Sequence, residues 1–276
     1  MEPQPPPVFT VEPPGASAPR PRANAQGLGG SLLAMILVLW KFGGTSLSML
    51  FMIWVYSRIF GWPLAVGVVL LLFVHEMGHF VAAKLLGIPV SAPLFIPFLG
   101  AAIVMRQNPR DAWTEALMAY AGPLAGGVGG WVCLILGVEM HWAVMFPIAG
   151  FTFFLNLFNL IPLPPMDGGR ICAAVSRWFW VLGLLMLGGA VIYFQAWSMM
   201  IIAILVVYMA IQRIRADLSM RGSDQMRRYY NLTFGTRAFV AFFYLGLIAA
   251  LLIGYAQASA LTPPVNNDGT VQTDQN

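Results

Sequence analysis

Charge is what this chain has least of: only 9% of its 276 residues are Asp, Glu, Lys or Arg, where soluble domains carry about a quarter. That scarcity, with 59% hydrophobic residues and a mean hydropathy of +0.75, excludes an ordinary water-soluble domain and leaves a polytopic membrane protein. Cysteine is nearly absent as well. Cys133 and Cys172 lie in or beside apolar runs without CxxC spacing, so no disulfide framework is expected and both suit packing as small hydrophobes. The formal charge of +4 does not indicate nucleic acid binding, because the basic residues sit in loops between apolar runs, where membrane topology explains them.

What is abundant is long apolar sequence. Segments can be drawn at about 45–60, 63–86, 113–138, 142–161, 178–194, 196–212 and 237–257, several near the roughly 20 residues that cross a bilayer. Lipid leaves an open chain no alternative to helix. The expected fold is therefore an all-α polytopic membrane protein with about six to seven transmembrane helices. A shorter run, 31–40, stops before Lys41 and the Gly43–Gly44 pair; its length suits the interface better than a span. Residues 1–26 are Pro-rich and 258–276 polar, so both read as disordered tails around a membrane domain at 27–257.

Lys84, Arg106 and Arg110 cluster in one loop, Arg170 and Arg177 in another, and Arg213, Arg215, Arg221, Arg227 and Arg228 in a third. The positive-inside rule makes these loops cytoplasmic, with the N-terminal tail on the same side. Arg58 is the one dissenter. Trp40, Trp54, Trp62 and Trp142 fall near predicted span ends, as an interfacial belt requires. Between the second and third spans, Pro89, Pro93 and Pro97 rule out one straight helix. That stretch reads as an extended or re-entrant segment, tolerable at membrane depth only inside protein or beside a wet cavity.

The chemistry concentrates in HEMGH. His75 and His79 stand at i and i+4, so a helix presents both imidazoles on one face, able to share a tetrahedral zinc. Glu76 then sits beside the open position, where it can accept a proton from water. HExxH also arises by chance, but the chain has three histidines, two of them in this pattern. A glutamate inside an apolar helix is, moreover, costly and functional by default. A catalytic zinc usually takes three protein ligands, and the remaining His141 falls on the opposite membrane face. The third ligand is therefore expected to be a carboxylate from among Asp111, Glu115, Glu139, Asp167, Asp217 and Asp224. Asp167 stands out, since a Pro-rich approach and Gly168–Gly169 can fix it at the cytoplasmic end of its span; the competing reading is a helix cap. A rise of about 1.5 Å per residue puts the metal on the order of 12 Å inside that boundary.

HEMGH together with NLIPLPPMDGGR resembles the site-2 protease family of intramembrane metalloproteases, whose signature pairs HExxH with a distal Asn-Pro-Asp-Gly motif. Asn159, Pro162, Asp167 and Gly168 match that motif, and AYAGPLAG at 119–126 resembles the Gly-Pro turn of the intervening helix. The similarity covers about 45–175. It implies one Zn2+ on His75, His79 and Asp167, Glu76 as general base, and Asn159 near substrate or oxyanion. It further implies transmembrane protein substrates cut within the lipid bilayer. The site would face the cytoplasm, in the cell membrane. Neither a PDZ nor a CBS module is recognisable, and the oligomeric state is not legible. Bottom-up, Asn159 also fits a helix–helix hydrogen bond, Asn156 a structural role, and Gly122 and Pro123 close helix approach. The competing function is a non-proteolytic metal-binding membrane protein or transporter with the same ligands, which would not need a base beside them.

Overall fold

A computed structural model describes residues 26–98, 100–193, 200–220 and 222–263. Its described residues form nine helices and one hairpin: α1 (Gln26–Phe60), α2 (Trp62–Leu85), β1 (Leu94–Ile96), β2 (Gly100–Ala102), α3 (Ala112–Glu139), α4 (Met145–Asn159), α5 (Asp167–Val175), α6 (Phe179–Tyr193), α7 (Met200–Ser219), α8 (Asp224–Tyr229) and α9 (Phe234–Leu261). The chain divides into two units, Met1–Lys41 and Phe42–Asn276, and the second holds every element after the first turns of α1.

Among the described residues, three helices are long and apolar enough to cross a membrane, α2, α3 and α9, with α4 and α6 shorter apolar helices. Two of the segments drawn from hydropathy give shorter helices, for local reasons. The run at 142–161 yields a helix of only 15 residues, about 22 Å long, because Pro162, Pro164 and Pro165 stop it. The run at 178–194 likewise becomes the 15 residues of α6. Two helix boundaries differ from those drawn on the sequence. Gly43–Gly44 does not break the chain, since α1 continues through it, and α9 persists to Leu261, past the expected start of the C-terminal tail. Residues 1–25 and 264–276, the bulk of both expected tails, lie outside the described residues.

α3 is the central strut, packed against α2, α4, α5 and α9. The core at its centre surrounds Phe153 of α4, fully buried with Ala116, Ala119, Leu134, Ala149 and Leu251. Small side chains on α3 and one large ring on α4 bring the two helices close, as membrane packing favours.

The Pro-rich segment after α2 is extended, as expected. β1 and β2 pair antiparallel, with Leu94 opposite Ala102 and Ile96 opposite Gly100, and a bridge joins Val90 to Met105. α1 grips the outer side of β1 through side chains. Thr45 Oγ1 donates to the Pro93 carbonyl at 2.7 Å, Phe95 N–H to Ser48 Oγ at 3.1 Å and Phe98 N–H to Tyr56 Oη at 3.2 Å. These contacts supply partners to backbone groups of β1 and of Pro93 and Phe98, which flank it.

Candidate metal centre

One turn of α2 separates His75 and His79, whose rings meet edge-on with centroids 4.8 Å apart and Nε2 atoms 3.1 Å apart. Asp167 arrives from the distant end of the fold as the first residue of α5. The α4 helix ends at Asn159 and the Pro-rich turn that follows delivers the carboxylate. Its Oδ2 lies 3.4 Å from His75 Nε2 and 3.2 Å from His79 Nε2. Although Asp167 opens a helix, Met166 is the N-cap residue and no side-chain cap bond is made. Its carboxylate faces the histidines, against the capping alternative.

Each imidazole is held from behind. The Nδ1 atom of His79 is 2.8 Å from the Met118 carbonyl of α3, which can only accept, so in the neutral ring the proton is on Nδ1 and the lone pair on Nε2. His75 Nδ1 lies 2.8 Å from Asn156 Oδ1. Room for His79 comes from Gly122: a Cβ there would collide with its ring at Nε2 and Cε1. The expectation that Gly122 permits close approach thus has a specific object, the imidazole of His79.

These residues fit a zinc ion. The three ligand atoms are mutually within 4.8 Å, and their separations of 3.1–3.4 Å match the roughly 3.3 Å edge of a tetrahedron with bonds of about 2.0–2.1 Å. Two imidazole nitrogens and one carboxylate oxygen are also a donor set zinc accepts, with a coordination position to spare.

Glu76 is buried and lines the same cavity, of about 590 Å³, as the three ligands, Asn159 and Arg170. The other walls are mostly apolar: Leu72, Phe151 and Leu155 from the α2–α4 side, Leu205 and Met209 from α7, and residues 100–102 of the hairpin. The extended segment therefore edges directly onto the site.

The carboxylates that competed with Asp167 are engaged elsewhere. Asp111 caps α3 by accepting from Thr114 N–H at 2.8 Å. Glu115 is buried in a cluster with Arg170 Nε and Arg213 Nη2, each at 3.3 Å, and the Tyr229 hydroxyl. Asp217 pairs with Arg177 at 2.5 Å and accepts from Tyr230. Glu139 is exposed near the end of α3, Asp224 opens α8, and His141 is exposed in the α3–α4 turn. Burial and the Glu115 carboxylate push the Tyr229 phenol far above its ordinary range, so it stays a donor to Glu115. Arg170 links this cluster to the centre, its Nη1 reaching within 4.0 Å of Asp167 Oδ1. The sequence alone does not bring Met118 or Arg170 to this site, offers Glu115 only as one candidate ligand among six, and gives Asn156 a structural role. For Asn156 and Glu115, a polar group inside or entering an apolar helix was the available signal.

Residues 63–142 match the profile of peptidase family M50, a stretch that includes HEMGH and ends before Asp167. A zinc metalloprotease of Methanocaldococcus jannaschii is 34% identical over 117 residues, 41% of this chain and 32% of that protein. Rip3 of Mycobacterium tuberculosis, whose name assigns it provisionally to the zinc metalloproteases, is 30% identical over 156 residues, 51% of this chain and 39% of its own. The chain spans about a third of the length of the curated relatives it matches. The solved site-2 protease from M. jannaschii is 22% identical, with a TM-score of 0.39 over 81% of this chain and 90% of that one. Over the stretch that carries HEMGH, the chain is therefore similar to peptidase family M50 and to zinc metalloproteases.

Proposed function

We propose that this chain is an intramembrane zinc metalloprotease that hydrolyses peptide bonds in or near the transmembrane segments of other membrane proteins. The observation that carries the reading is the convergence of His75, His79 and Asp167 on one point, in a cavity also lined by Glu76 and set among apolar helices. Zinc held by the two Nε2 atoms and the Asp167 carboxylate would acidify water and polarise a scissile carbonyl. Glu76 takes the proton of the attacking water and returns it to the leaving nitrogen. The Asn159 side chain, on the cavity wall, donates to the developing oxyanion through its amide. A base beside two histidines is superfluous for a metal carrier, which favours hydrolysis over transport.

A helical substrate hides its carbonyls in i to i−4 hydrogen bonds and has to unwind before attack. The hairpin borders the cavity in extended form, so it is suited to clamp the unwound strand as a re-entrant element. The Lys- and Arg-rich loops support an orientation with the site toward the cytoplasm, in a cell membrane that the chain crosses several times. The test is incubation of the purified protein in detergent with a panel of single-span segments. Cleavage that a chelator abolishes and stoichiometric zinc restores is expected; intact substrates throughout the panel would count against the proposal.

A further inference from the structure

Asn156 is buried in α4, three residues before the asparagine that matches the distal motif. Both ends of its amide are committed. Nδ2 donates to the Thr152 carbonyl at 2.8 Å, an acceptor that cannot reciprocate, and this leaves Oδ1 to face His75 Nδ1 at 2.8 Å. Thr152 is itself anchored, its hydroxyl donating to the Ile148 carbonyl at 2.8 Å. Across the interface α3 supplies Gly126, where a Cβ would lie 2.5 Å from Oδ1 and 2.6 Å from Nδ2 of Asn156. Any larger residue would push the amide off the histidine.

We infer that Asn156 is a positioning residue for the metal centre, holding the proton of His75 on Nδ1 so that the Nε2 lone pair faces Asp167. The inference rests on the zinc reading above. An oxygen that can only accept needs a donor, so neutral His75 is the Nδ1–H tautomer, as the Met118 carbonyl makes His79. Three acceptor atoms, two imidazole nitrogens and a carboxylate oxygen, then meet at 3.1–3.4 Å. A divalent cation relieves their repulsion. If the Asn156 amide turned over, Nδ2 would face His75, the proton would move to Nε2, and one ligand would be lost. Metal-bound histidines commonly donate their second nitrogen to an oxygen partner, whose removal lowers metal affinity about 10–100-fold. In the apolar interior the amide does this without adding a third buried carboxylate beside Glu76 and Asp167.

Zinc competition against a chromophoric chelator, on full-length protein in detergent, tests the idea with Asn156→Leu, Asn156→Asp and, as a buried polar control one turn away, Thr152→Val. Asn156→Leu is expected to bind zinc about 10–100-fold more weakly. Asn156→Asp, which keeps the acceptor oxygen, should bind at least as tightly as wild type, and Thr152→Val within about threefold, since the carbonyl that Asn156 uses is main chain. Nitrogen-15 spectra of the metal-free wild type, with three histidines to assign, should show His75 protonated on Nδ1. Unchanged affinity in Asn156→Leu, weakened affinity in Asn156→Asp, or a His75 proton on Nε2 would each overturn the inference. If Asn156→Leu does not fold, the Asp variant and the wild-type spectrum still decide. Wild type that holds no zinc at all would instead overturn the metal reading, a separable outcome.

Discussion

The Oδ2 atom of Asp167, at the start of α5, lies 3.2 Å from Nε2 of His79, in the C-terminal half of α2. Two helices far apart in the chain meet at that point because α3 packs against both. The first prediction concerns the carboxylate. Asp167→Asn keeps the shape but loses the charge, and it should weaken zinc binding by more than about 100-fold, beyond what an outer partner contributes. Metal analysis after dialysis against a weak chelator reads the result; zinc retained at one per chain would remove Asp167 from the ligand set.

Gly122 faces the ring of His79, and a Cβ there would collide with it. Gly122→Ala should therefore lower zinc affinity and cost about 1–3 kcal/mol through overpacking, despite the better helix propensity of Ala. Gly188 of α6 has nothing within 4 Å of such a Cβ. Gly188→Ala should leave zinc unchanged and stability equal or up to about 1 kcal/mol higher. Thermal unfolding in detergent with parallel metal analysis separates the two variants, and identical behaviour would contradict the packing account.

Glu115 offers a stability prediction independent of chemistry. It is buried and receives Arg170, Arg213 and Tyr229 from three elements. Glu115→Ala leaves Arg170, mostly buried, without its main partner, and should destabilise by about 3 kcal/mol, the lower end for a broken buried pair. Arg213→Ala should cost about 1 kcal/mol or less, because that side chain is 47% exposed and its pairing is weakened by solvent. Equal losses in the two variants would mean that the cluster does not work as a buried hub.

Much of this site is legible in the amino-acid sequence itself. The i, i+4 histidines need only helical periodicity, and Asp167 emerges from an apolar chain with few carboxylates to choose among. What stays hidden is whatever depends on a neighbouring helix. Asn156 and Asn159 look alike in sequence, and only the approach of α2 to α4 puts Asn156 Oδ1 against His75. Arg170 reads as a topogenic charge, and only the fold sets Glu115 beneath it. Hydropathy also does not show where a helix stops: the prolines after Asn159 end α4 at 15 residues.

The hairpin yields a prediction about substrate handling. Pro93→Ala with Pro97→Ala should loosen the segment that borders the cavity and slow cleavage of stably helical spans more than that of spans already broken by Gly or Pro, with zinc content unchanged. Equal cleavage of both classes by variant and wild type would remove the support for a clamp.

The most direct test of the central claim is cleavage of a single-span segment by zinc-loaded Glu76→Gln beside wild type. Glu76 is proposed to move protons without holding the metal, so the variant should retain one zinc per chain and lose at least about 100-fold in rate, the lower range for a general base. A variant with full zinc that cleaves at the wild-type rate would contradict the account.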